Sequence, residues 1–240
     1  MTRSGSPAAR DAAARDSART DAHAPVVPAA PRIPVELRPA AMEGADRPAE
    51  DSWSAVHVHG WDRSGIVFSG LEFAASRLDT VDLSESRVSR LALADCEVTG
   101  SNLANLEARE SSMLRVVVRR SRLTGLAWAA GRLRDVRFED CRADLVSLRF
   151  ARLERVRFVR CVLTDGDFQG VRGESVSFVD CDLGHAEFSQ AQFDRSEIRH
   201  CGLDGLSGVQ GLRGIGLLPV DIVALAGAFA SALGVRTLED

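Results

Sequence analysis

No lysine occurs in this sequence. All 30 of its basic side chains are arginine, a bias we read as codon composition rather than functional choice. Nor is one sign of charge in excess: 34 acids leave a net charge of −4, too balanced for a generic nucleic-acid binder. No apolar run reaches the length of about 18 residues that a membrane span needs. The N-terminal residues 1–24 lack the apolar core of a secretory signal. Cysteine is sparse and odd in number, at five, which points to reduced thiols in the cytosol rather than a disulfide frame. There is no CxxC pair, GxSxG elbow, P-loop, dinucleotide fingerprint or paired-carboxylate motif. These absences argue against an enzyme. We expect no catalytic residue, no cofactor and no metal ion.

Residues 1–50 are rich in Ala, Pro, Ser and Asp and sustain no period of 3.6 or 2. They are expected to form a disordered tail. A partner-binding peptide around Arg32 to Leu37 is the functional alternative. Residues 51–208 carry a repeat, and residues 209–240 read as a linker and one helix.

The repeat has a period of five. From Phe68 to Leu203 every fifth residue makes 28 positions, of which 27 are apolar and only Gly173 departs. A second series lies two residues before each centre, from Ile66 to Cys201, and contains no charge. Between residues 66 and 203 there are 41 charged side chains, and none falls on either series. Two positions in five therefore face a dry interior, where a charge is too costly, and three face water. A period of five fits neither an α-helix nor a flat strand. It means a solenoid whose units bury their faces by stacking. A higher period of 20 confirms this: Val136-Arg137-Phe138, Val156-Arg157-Phe158 and Val176-Ser177-Phe178 recur, as do Cys141, Cys161, Cys181 and Cys201. Four units make one four-sided coil.

Ser101-Asn102-Leu103-Ala104-Asn105 and Ala186-Glu187-Phe188-Ser189-Gln190 show the unit most clearly. On these the chain resembles the pentapeptide-repeat family, whose unit reads roughly A-(D/N)-L-x-x. The likeness covers about residues 61–208. It implies an all-β solenoid, a right-handed quadrilateral β-helix. The 28 positions at four to a coil make about seven coils, and a C-terminal α-helix is expected to follow them. At ~4.8 Å per coil the rod is expected to be roughly 34 Å long.

Inside, Phe138, Phe158 and Phe178 should share one column, Trp128 should use room left by Ala108, and Gly173 should leave a gap or a distortion. The cysteines read as small apolar filling rather than a metal ladder. His57-Val58-His59 puts two imidazoles on one face, short of the ligands that a metal site needs.

Outside, charge is banded. Residues 62–110 carry a net −4, residues 111–160 a net +8 and residues 161–208 a net −6. Arg120, Asp140, Arg160, Asp180 and His200 should form a ladder. Arg132, Arg152 and Arg172 should stack without intervening acids, which makes them the candidate partner surface. In the C-terminal segment Ile222, Leu225, Phe229 and Leu233 fall at helical spacing. They are expected to cap the last coil, to join two copies, or both; the family resemblance implies dimerisation there. Function is thus expected to be binding of an unidentified protein partner by a cytosolic homodimer, without direct nucleic-acid or membrane binding. The alternative that the resemblance implies is DNA mimicry toward a type II topoisomerase, DNA gyrase, giving quinolone or toxin resistance.

Overall fold

The computed structural model describes residues 24–40 and 51–236. One backbone feature generates its architecture. From Ala55 to Gly205 every fifth residue has a positive φ, and 24 of these residues are not glycine. A left-handed conformation costs a non-glycine residue about 1–2 kcal/mol. Asp95, Asn105, Asp135, Asp140, Asp165 and Asp180 are of the types that tolerate it best. Each such residue turns a corner, and the residues between corners run extended. The chain therefore returns beside itself after 20 residues and pairs in parallel, as in Val116↔Val136, Val136↔Val156 and Val156↔Val176.

Five eight-residue strands span two sides and the corner between them: Ala92–Thr99, Ser112–Arg119, Arg132–Glu139, Arg152–Val159 and Arg172–Val179. Of the other two sides, one carries the short paired strands Val67–Ser69, Arg87–Ser89 and Glu107–Arg109 and then single bridges such as Ala127↔Ser147, and the other is held by single bridges such as Asn102↔Arg122. The coil has about 8 turns rather than the seven expected, because it begins at strand Asp51–Ser54, which pairs Leu71–Ala74. The apolar series is interrupted there by Arg63. At the open first coil that side chain can lie over the Trp61 ring, 5.5 Å from its centroid, instead of entering a core.

The interior is filled by the two uncharged series. Phe138, Phe158 and Phe178 stack with centroids 4.9 and 5.0 Å apart and planes within 5°. Phe168 and Phe188 form a second stack at 4.8 Å and meet the first edge-on. Room for Trp128 comes from Gly131, where a Cβ would lie 2.2 Å from the indole Cδ1. Gly173 neither bulges nor breaks the strand, and its pairing with Leu153 and Phe193 is regular. The Phe193 ring occupies its space, with Cδ1 2.5 Å from where a Cβ would stand. The internal cavity beside Trp128 is only about 10 Å³, no room for a ligand.

The expected linker is itself structure. A 3₁₀ turn at Val209–Leu212 buries Val209 and Leu212 on the last coil, and strand Ile215–Leu217 pairs Ser196–Ile198, covering that edge. The single expected helix is two: α1 at Pro219–Ala224 and α2 at Ala226–Ala232, broken at Leu225.

The expectation of disorder fails for residues 24–40, which lie along the coil as an extended strap. The strap ends as strand Arg38–Pro39, paired in parallel with Val56 and His57. The remainder of the expected tail, residues 1–23 and 41–50, lies outside the described residues.

Candidate interaction surface

Stacking places identical positions of successive coils face to face, so the outer surface is a set of columns. One corner column runs Asp95, Arg115, Asp135, Arg155. Arg115 grips Asp95 with Nε and Nη2, both at 2.6 Å, and Arg155 grips Asp135 at 2.6 and 2.9 Å. The guanidinium bonds hold both carboxyls below the usual carboxylate range, Arg115 acting on Asp95 and Arg155 on Asp135. The expected ladder occupies the next corner. Arg160 clamps Asp140 at 2.6 and 2.9 Å, and His200 Nδ1 stands 3.6 Å from Asp180. Arg119 joins Glu97 and, at 2.7 Å, Glu139, and Arg137 also meets Glu139. Eight of the thirteen arginines of the middle band thus sit in ion pairs among the described residues, six of them across coils.

Arg132, Arg152 and Arg172 behave differently. They begin three neighbouring strands in register, all three are exposed, and none forms an ion pair among the described residues. The acids two residues on are committed elsewhere, Glu154 to Arg134 at 3.4 Å and to Arg155 at 2.5 Å, and Glu174 to Arg195. An open groove of about 410 Å³ passes Arg152, Arg172, Glu174, Phe193 and Asp194. Three guanidinium groups at ~4.8 Å spacing form a row of free donors suited to carboxylates.

The strap rests on the first corner. The Ala29 N–H donates to Asp135 Oδ1 and the Arg32 N–H to Asp95 Oδ1, both at 3.0 Å. Sequence reasoning missed this seat, although a signal existed: Pro25, Pro28, Pro31 and Pro34 recur every third residue.

The coil also adds to the histidine pair. Asp79 arrives from the next coil opposite His59, and its Oδ2 lies 2.7 Å from His57 Nε2. The three ligand atoms lie within 4.8 Å of one another, two imidazoles and a carboxylate that could hold a divalent ion. The expected shortage of ligands is amended by one, and the signal was the 20-residue step from His59. The four aligned cysteines remain free thiols, with sulfur–backbone contacts such as Cys141 Sγ to Glu139 O at 3.3 Å. Burial pushes the Cys96 thiol up to about 11.

Of the four C-terminal positions, Leu225 is buried on the last coil and Phe229 is partly buried against it, whereas Ile222 and Leu233 are exposed. The break at Leu225 turns the two helices so that no single stripe faces inward. Val220 and Val223 join the outer apolar surface.

No family model matches the chain, and no curated protein matches it. It is similar to solved structures at low identity. HetL, a pentapeptide repeat protein involved in heterocyst differentiation regulation from the cyanobacterium Nostoc, is 13% identical, with 65% of this chain and 86% of that one covered at a TM-score of 0.35. Full-length QnrB1, a plasmid-mediated fluoroquinolone resistance protein, is 18% identical over 76% of this chain and 89% of that one, at a TM-score of 0.34. The fold is described by the chain itself: five-residue units, four to a coil and with a left-handed residue closing each, make it a four-sided β-solenoid.

Proposed function

We propose that the protein is a non-catalytic scaffold that binds another protein through the outer columns of its coil. The observation that carries this reading is the row Arg132, Arg152 and Arg172: three guanidinium groups on paired strands, without an ion-pair partner among the described residues, beside an open groove. A partner with carboxylates along an extended segment would relieve their mutual repulsion and take bidentate bonds. Dimerisation through the C-terminal helices belongs to the same reading, supported by the exposed Val220, Ile222, Val223 and Leu233. Five free thiols suit a cytosolic setting.

DNA mimicry toward a topoisomerase would need a continuous acidic face. The column Asp62, Asp82, Asn102 passes instead into Arg122 and Arg142, which speaks for the scaffold. The test is affinity capture with the full chain beside a variant carrying Arg132→Glu, Arg152→Glu and Arg172→Glu. A protein retained by the first and lost by the second supports the reading. Equal retention on both counts against the arginine row, and a gyrase supercoiling assay that responds to the protein would favour mimicry.

A further inference from the structure

We propose that the corner column Asp95–Arg115–Asp135–Arg155 is a peptide-binding site for polyproline-II segments with proline at every third residue, and that residues 25–34 are its resident, displaceable occupant.

The first argument is commensurability. Three residues of polyproline II advance ~9.3 Å, and two coils advance ~9.6 Å. Asp95 and Asp135 are two coils apart, and the amides they accept, Arg32 and Ala29, are three residues apart. The carboxylates thus sample every third backbone N–H of an extended chain. Proline cannot donate, so a chain with proline every third residue must present the right phase. Here Pro28 and Pro31 each stand immediately before a donating residue. Recognition through the backbone and the proline period tolerates any side chain at the positions between.

The second argument is preorganisation. Each carboxylate oxygen that receives the strap is already fixed by an arginine Nε at 2.6 Å, so the acceptors stand in place whether or not a peptide is bound.

The third is the poor fit of the resident. Not one of residues 24–40 is buried. Beneath the strap remains a cavity of about 280 Å³ between Ala29, Ala30 and Ile33 and the coil's Glu97, Val117 and Arg137. The small alanines leave it unfilled, and an occupant with larger side chains there would fill it. Few buried contacts place the strap at the low end of local stability.

The test uses the full-length chain with residues 25–34 replaced by a Gly/Ser sequence of equal length, its coil verified by melting temperature. The probe is a fluorescein-labelled synthetic peptide of residues 24–40, followed by anisotropy. Saturable one-to-one binding is expected. It should weaken about tenfold or more when Asp95→Asn and Asp135→Asn are added, as loss of charge-assisted bonds requires. It should weaken comparably for a peptide with one alanine inserted after Ala30, which breaks the proline period. Equal binding of the two peptides, or no binding to a folded strap-replaced chain, overturns the proposal. Hydrogen exchange on the unaltered chain gives a second measure. The amides of Ala29 and Arg32 should exchange far faster than those of Val136 and Val156, and protection equal to the coil would show a permanent strap and overturn displaceability.

Discussion

Two outer columns on neighbouring faces of the coil use charge in opposite ways. At the corner, Asp95, Arg115, Asp135 and Arg155 alternate, and at the strand starts Arg132, Arg152 and Arg172 do not. Coil spacing is shared, yet the first column closes on itself through four short bonds and the second makes no ion pair among the described residues. A stacked repeat brings like positions face to face. The sequence must either alternate a charge to satisfy it internally or repeat it and leave it for something outside. The alternating column is satisfied within the coil; the repeated one stays exposed.

The scale for this contrast lies inside the coil that carries Arg152 and Arg155. Phe158→Ala, in the middle of the aromatic stack, should cost about 3–5 kcal/mol, read as a fall in the denaturant midpoint. Breaking the corner comes next. Asp135→Asn leaves Arg155 half-paired and frees the strap, at an expected cost of about 2 kcal/mol in the same measurement. Acid should break it as well. Asp95 and Asp135 have folded pKa values below the unfolded value of about 3.9. Their contribution is complete above that value and is lost as pH falls through the depressed folded ones. Between pH 6 and pH 3 the wild type should therefore lose about 1 kcal/mol more than the Asp95→Asn/Asp135→Asn variant. The smallest effect belongs to the other column. Arg152→Glu should stabilise by no more than about 1 kcal/mol, since it replaces repulsion with an exposed pair. That gain should shrink as salt is raised, because exposed charges are screened beyond a Debye length of about 10 Å at 0.1 M. A destabilising Arg152→Glu would mean that the row already has internal partners.

What could be read from the sequence divides along the same line of inside and outside. The interior is dictated by solvent exclusion, so the period of five, the Phe138–Phe158–Phe178 column and the absence of inward charge were all legible. The ladder Arg120 to His200 was legible because a step of 20 is fixed once four sides are known. Contacts without that period were not. The strap joins Ala29 to Asp135 across 106 residues, and its proline period of three belongs to neither helix nor strand. Residues 51–208 were read as repeat, but Arg63 kept the first coil out of the count of seven, which began at Phe68. The helix break at Leu225 left no mark on the apolar spacing, and Gly131 gave no sign that it serves Trp128.

The alternation at the corners gives the rod a parity. Removing one coil, residues 131–150, would set Arg115 against Arg155 and Arg120 against Arg160. Removing two, residues 121–160, would set Arg115 against Ser175 and Arg120 against Asp180, and no like charges would meet at these two corners. The strap obeys the same rule, since its three-residue step skips a coil each time. Pentapeptides are the unit of winding, but forty residues are the unit by which these coils could be lengthened with the charged corners still in phase.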